Sequence, residues 1–404
     1  MDDSTPTDDT AAAGDGLEVA RLRLARFRQE LKVRDFDACV LYDPVNLRFA
    51  TGARNMQVFL LRNPARYVFI PAEGPVILFE FQGAEHLARD LGTIDEIRTA
   101  VTWSYVAAGP RVNEFASLWA AEIADLMRTH CGQSSLRLAV DNLNPPGPAA
   151  LARHGIEVFD AQGAVEHAKA IKSEQEIEVM KRSIATTERA VARMREALTP
   201  QMTENELWAV LHGELIARDG EYVETRLLSS GPRTNPWFQE TSDRVINAGD
   251  LVCLDTDIVG PSGMYTDFSR TFFCEPGKPS DEQRRLYALA AEQVSHNMEL
   301  LRPGSTFREI SDKSWRIPDA YVDNRYFCLA HGVGLTGEYP YIFHPQDFAK
   351  SGYDGVLEEN MTMCVESYVG PKGGTEGVKL EQQVLIGKGG PEILSNYPLE
   401  SDLL

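Results

Sequence analysis

Asp255, Asp257, Asp267, His331, Glu366 and Glu381 all sit within or beside apolar, strand-like runs. The runs are LVCLDTDIVGPSGMYTDFSRTFF (251–273), HGVGL (331–335), MCVESYVG (363–370) and GVKLEQQVLI (377–386). Carboxylates placed this way leave water on folding, and like charges that share a buried face cost several kcal/mol unless a cation lies between them. A chain with this pattern must therefore fold so that its acids meet around something positive. Asp255 and Asp257 flank one residue, which predicts that both side chains leave the same face of a single strand. After a Gly-containing turn at 260–263, Asp267 opens DFSRTFF, which can return as a hairpin and bring a third carboxylate beside the first two.

Each element alone has a blander explanation. An isolated D-x-D in an acidic chain is usually a solvated turn or an ion-pair partner, and a histidine next to glycine is often a loop residue. The ordered set of D-x-D, a third Asp, His, Glu and Glu is far more specific. Oxygen-rich ligation with one imidazole suits transition-metal ions, iron before zinc, manganese or cobalt, and fits neither a thiolate site nor calcium. Six ligands, several able to bridge, suit two ions about 3.5–4 Å apart. Five carboxylates outnumber the four positive charges of two divalent ions, so Asp257 favours a higher oxidation state or a less acidic bridging water.

At 404 residues the chain has room for about two domains with substantial cores. A composition of 43% hydrophobic and 25% charged residues is that of a globular protein, and the net charge of -20 argues against nucleic acid or anionic membrane as a partner. No apolar run approaches the ~20 residues of a membrane span. The six cysteines (Cys39, Cys131, Cys253, Cys274, Cys328 and Cys364) form no CxxC pair and read as buried free thiols in a reducing compartment. MDDSTPTDDTAAAGDG is the opposite of an export signal, so a cytoplasmic protein with a disordered tail over 1–16 is expected.

From 17 to 169 a helix at 17–33 is followed by strands alternating with helices: DACVLYD, ARYVFIP, PVILFEF, a helical run over 113–129, LRLAVD and GIEVFDA. This pattern predicts an α/β domain. From 170 to 404 the pattern changes to α+β. Ser173 with Glu176, and Thr203 with Glu206, are capping boxes that start two helices, and strands follow. Ser280 with Gln283 and Thr306 with Glu309 start the round again. Ile177, Met180, Ile184, Val191, Met194 and Leu198 mark the buried stripe of the first of these helices. Two rounds of a helix pair followed by strands suggest a pseudo-duplicated domain whose halves converge on a central cleft.

With these motifs the chain resembles the pita-bread metalloenzymes, which include methionine aminopeptidase, prolidase and creatinase. The resemblance implies a creatinase-like N-terminal domain and a pita-bread catalytic domain, with Asp255, Asp267, His331, Glu366 and Glu381 as the five ligands of the peptidase members. It also implies a homodimer in which the N-terminal domain of one subunit borders the cleft of the other, through the segment 51–67. Three departures from the peptidase pattern stand out: Asp257 replaces a small residue, Trp237 in SSGPRTNPWFQE stands where a substrate-binding His is usual, and Glu366 is followed by Ser367 rather than Pro.

The D-x-D, GPRTNPWFQE, HGVGL and CVES segments are similar to those of the DddP-type dimethylsulfoniopropionate lyases, whose six ligands fall on Asp255, Asp257, Asp267, His331, Glu366 and Glu381. That resemblance implies β-elimination from a small zwitterionic substrate, with an aromatic cage for its sulfonium. Trp237, Phe238, Tyr326, Tyr339 and Tyr341 are the aromatics close to the motifs, Trp237 and Tyr326 foremost for the cage, with core packing as their alternative role. The lyases carry an Asp six residues after the metal-binding His, and here that position is Gly337. Glu338 and Tyr326 are then the candidates for proton transfer. A dinuclear hydrolase of the prolidase type is the alternative activity, and a non-catalytic binding module a third reading that the intact ligand set opposes.

Overall fold

The computed structural model describes residues 9–132 and 136–404. It divides into two compact units, one up to Lys169 and one from Ala170 onward. Residues 1–8 of the expected tail lie outside the described residues. Residues 9–16 depart from that expectation, because the first helix runs Asp9–Val33. The run Ala11 to Ala13 has the highest helix propensity of any residue type, and it extends the helix through the acidic segment.

The first unit is built on a six-stranded mixed sheet of β1 (Ala38–Leu41), β2 (Tyr67–Pro71), β3 (Ile77–Glu80), β4 (Glu96–Thr99), β5 (Leu136–Val140) and β6 (Ile156–Asp160). Their order is β4-β3-β2-β1-β5-β6. Edge strand β4 was not visible as an apolar run, since Glu96, Ile97, Arg98 and Thr99 are all half-buried or exposed. The helix Val112–His130 lays Ala116, Trp119, Ala120, Ile123 and Met127 into the core against Val40, Tyr67 and Leu138. Glu80 is fully buried and satisfied by Arg66 at 2.8 Å and Asn55 at 3.0 Å. Met56, Val58, Phe59 and Leu61, in the segment expected to border a partner's cleft, are exposed on the surface of this unit.

In the second unit all four capping boxes form, at the starts of the helices Glu174–Ala197, Glu204–Ile216, Asp281–Glu299 and Phe307–Lys313. The predicted stripe of the first helix is buried throughout. Between the helix pairs lie β7 (Tyr222–Val223), β8 (Leu228–Ser230), β9 (Leu251–Asp255), β10 (Ile258–Val259), β11 (Tyr265–Thr266) and β12 (Ser269–Phe273). They form two three-stranded sheets, β11-β10-β7 and β12-β9-β8. After the second pair come β13 (Ala330–Val333), β14 (Gly337–Ile342), β15 (Thr362–Val369), β16 (Val378–Gly387) and β17 (Gly390–Ile393), in the order β14-β13-β15-β16-β17. The six cysteines are free, and all but the half-buried Cys131 are buried.

Because an N-cap hydroxyl satisfies a backbone N–H that no helical carbonyl reaches, Ser173→Ala is expected to destabilise the protein by about 1 kcal/mol. Thermal unfolding should show a midpoint lower by roughly 2–4 °C, and an unchanged midpoint would mean that the box contributes nothing.

Candidate metal centre

Antiparallel register builds most of the site. Ser269 pairs with Asp255 across β12 and β9, and Glu366 pairs with Glu381 across β15 and β16, so each pair of side chains emerges on one side of its sheet. His331 on β13 pairs with Cys364 on β15. Asp267 lies in the short link between β11 and β12, where its N–H donates to Gln383 Oε1 at 3.1 Å. Asp255, Asp267, His331, Glu366 and Glu381 are all buried, with 1–6% of their surface exposed.

The six predicted residues converge, but Asp257 does so by a route that alternation does not describe. Strand β9 ends at Asp255, and Asp257 has φ 43°, a left-handed conformation. Aspartate tolerates that region better than most residues because its short side chain bonds locally. Here the carboxylate accepts hydrogen bonds from Thr225 Oγ1 and, at 2.8 Å, from the Tyr265 hydroxyl. The turn sets the Asp257 carboxylate beside those of Asp255 and Asp267, with one oxygen of each lying within 4.8 Å of the others. A second such group joins Asp267, His331, Cys364 and Glu381, so Asp267 is common to both.

His331 is oriented for cation binding. Its Nδ1 lies 3.0 Å from the Gly332 carbonyl oxygen, a donor position that leaves Nε2 facing the acids. Nε2 is 3.4 Å from Glu366, 3.5 Å from Asp267 and 3.7 Å from Glu381. Among the described residues, buried Glu381 Oε1 has no hydrogen-bond partner, an orphaned acceptor facing His331 Nε2. Burial, followed by the charge of Asp255, pushes the Asp257 carboxyl up to about 7, and burial raises Asp255 to about 6. Asp267 is driven well above the carboxylate range by burial and the charge of Glu381. Oxygens held this reluctantly in their charged form fit a divalent cation.

Lys379 is a site residue that the sequence reading missed. Two places before Glu381 on β16, it is fully buried, and its Nζ donates to Ser269 Oγ at 2.6 Å, Glu366 Oε2 at 2.6 Å and Glu381 Oε2 at 3.2 Å. Asp255 Oδ2 is 3.3 Å away. Burial opposes the charge on Lys379, but the three carboxylates outweigh it and keep the ammonium protonated. The signal was available, since strand alternation from Glu381 places residue 379 on the same face.

The aromatic candidates flank this lysine. Trp237 and Tyr326 are buried, and the Lys379 ammonium lies 6.0 Å from the Trp237 ring and 4.6 Å from the Tyr326 ring. Phe238 is 55% exposed and packs 5.4 Å from Tyr326. Burial, and next the charge of Glu366, hold the Tyr326 phenol well above its usual range, so it is a proton donor rather than a base. The proton-transfer role expected of Glu338 meets a structural obstacle. Its buried carboxylate is paired with Lys172 at 3.1 Å and accepts the Leu335 N–H at 2.8 Å, so both of its oxygens are already engaged.

Comparison with known proteins agrees with this architecture. Residues 178–388 match metallopeptidase family M24. The Xaa-Pro dipeptidase of Bacillus anthracis superposes with a TM-score of 0.76 at 20% identity, covering 94% of this chain and 99% of that one. The prolidase of Pyrococcus horikoshii does so at 0.73 and 21%, covering 94% and 99%, and both likenesses speak to fold alone. The fold is that of a pita-bread metalloenzyme. Two curated relatives, named dimethylsulfoniopropionate lyase DddP, are similar along nearly the whole length. That of Roseovarius nubinhibens is 36% identical over 97% of this chain and 89% of its own, and that of Roseobacter denitrificans 35% over 96% and 87%. The chain belongs to metallopeptidase family M24 and, within it, to the family of the DddP lyases.

Two predictions test the electrostatics. The folded state keeps protons on Asp255 and Asp257 up to about 6 and about 7, whereas the unfolded chain loses them near the ordinary 3.8. Folding therefore binds protons in that window, and metal-free protein should lose stability as pH rises from about 4 to about 7. Thermal scans of chelator-treated protein should show the midpoint falling between those limits and restored by a divalent metal at neutral pH; a flat or rising metal-free profile would contradict this. Lys379→Met removes the central cation, and urea unfolding of the metal-free variant should show a loss of ~3–5 kcal/mol.

Proposed function

We propose that this protein is a metal-dependent lyase that cleaves dimethylsulfoniopropionate, or a similar small onium carboxylate, to dimethyl sulfide and acrylate by β-elimination. The observation that carries this reading is a carboxylate cluster faced by aromatic rings that already hold a cation, the Lys379 ammonium over Tyr326 and Trp237. A sulfonium has no N–H to donate, and aromatic faces attract such a charge without requiring a hydrogen bond. Similarity to two DddP lyases along nearly the full chain supports the same reading.

Asp255, Asp257 and Asp267 would hold one ion, and Asp267, His331, Glu366 and Glu381 a second. Bound there, the ions would supply Lewis acidity for the substrate carboxylate and for the negative charge that develops at its α carbon. Lys379 changes the charge balance expected from the sequence. Five carboxylates face the four charges of two divalent ions and one ammonium, so balance requires no higher oxidation state. In the elimination, the Cα–H pair becomes the C=C bond as a base takes the proton, and the C–S pair departs with neutral dimethyl sulfide. Tyr326 acts as a hydrogen-bond donor at the site, and Trp237, Tyr326 and Phe238 bound the onium end.

A prolidase-type hydrolase is the second reading, favoured by the ordered Asp255, Asp267, His331, Glu366 and Glu381. Metal-loaded protein is given dimethylsulfoniopropionate and, separately, X-Pro dipeptides, with dimethyl sulfide measured by headspace gas chromatography and free proline by a colour reaction. Dimethyl sulfide release is expected, and Asp257→Asn, which keeps the left-handed backbone accessible, should lower it by more than about 100-fold, beyond the loss of an outer partner. Proline release without dimethyl sulfide would sink the lyase reading.

A further inference from the structure

Beside the cluster, the Tyr341 ring stacks on the His331 imidazole with centroids 5.4 Å apart and planes inclined by 24°, and Phe327 packs on it at 5.8 Å. Tyr341 is half-buried. Four residues earlier on β14 is Gly337. A side chain begun there would come within 3.6 Å of the Tyr341 hydroxyl and 3.9 Å of His331 Nδ1, both ordinary contact distances. Gly337 is also absent from the glycines with left-handed φ. Neither backbone conformation nor crowding therefore demands a glycine here. What the glycine does is leave a space between a phenol and the metal-site imidazole.

The chemistry of that space is one-sided. The phenol O–H is a hydrogen-bond donor set beside the imidazole ring. The imidazole Nδ1 is already engaged with the Gly332 carbonyl oxygen at 3.0 Å. The acids that bear on the Tyr341 hydroxyl, Asp267 and Glu366, belong to the metal cluster, and the Glu338 carboxylate is paired with Lys172. An onium group would gain nothing from the hydroxyl, whereas a carboxylate would take a charge-assisted hydrogen bond from it.

We propose that Gly337 and Tyr341 form the subsite for the substrate's carboxylate, with the Tyr341 hydroxyl donating to one carboxylate oxygen and Gly337 leaving the room it occupies. The assignment rests on the small onium carboxylate reading above, and it extends to any short carboxylate that reaches the metal site.

The test uses metal-loaded enzyme and two independent readouts: KM and kcat for dimethylsulfoniopropionate, and acrylate binding by isothermal titration calorimetry. Tyr341→Phe should weaken acrylate binding about tenfold, the worth of one hydrogen bond to a charged group, and raise KM more than it lowers kcat. Gly337→Asp puts a negative charge against the carboxylate and should weaken acrylate binding by more than tenfold, with Gly337→Ala, a neutral filler, between it and the parent. Parent protein that fails to bind acrylate, Tyr341→Phe that binds it unchanged, or Gly337→Asp with undiminished binding and faster turnover would each overturn the subsite. Tyr341-dependent acrylate binding without dimethyl sulfide release would leave the subsite standing and remove only the lyase reading.

Discussion

Acidic side chains brought together almost out of reach of water repel one another, and the C-terminal unit is organised around that repulsion. Two of its three sheets place Asp255 opposite Ser269 and Glu366 opposite Glu381. Each carboxylate is met by a hydroxyl, an ammonium or an imidazole rather than by another acid alone. What remains unbalanced, the raised carboxyls of Asp255, Asp257 and Asp267 and the orphaned Glu381 oxygen, marks where cations are needed. The rigidity of the strands makes this tolerable, because a flexible site would relax by turning its acids to solvent.

Much of this arrangement was legible in the residues, for identifiable physical reasons. The capping boxes at Ser173, Thr203, Ser280 and Thr306 are local devices in which a side chain bonds to a backbone three positions away, and local devices can be read from order alone. Acids inside apolar runs were equally readable, because burial there follows from their neighbours. Edge strand β4 was hidden because its exposed residues carry no apolar alternation. The helix over 9–16 was hidden because its acidic, small and glycine residues carry no apolar periodicity.

Within the site, what the sequence concealed depends on contacts between distant segments. Glu338 looked available for proton transfer until Lys172, 166 positions earlier, was seen to engage it. Asp257 looked like an alternating strand residue, yet its position comes from a left-handed turn held by Thr225 and Tyr265. The position thus has two requirements, a ligand oxygen and a residue that tolerates positive φ, and aspartate meets both. Alanine at 257 would fail both, so its effect alone would not separate ligation from backbone strain.

Lys379 has a consequence for how the centre fills. Its ammonium already holds oxygens of Glu366 and Glu381 and approaches Asp255, all groups that a cation would use. The ammonium takes the Oε2 atoms, whereas Glu366 Oε1 and Glu381 Oε1 face His331, so a metal ion would share these carboxylates with a tethered cation rather than fill an empty cage. Its affinity would then be weaker than the number of acids suggests. The same tether would limit damage on metal loss, because the ammonium stays on the acids and keeps them from driving the sheets apart.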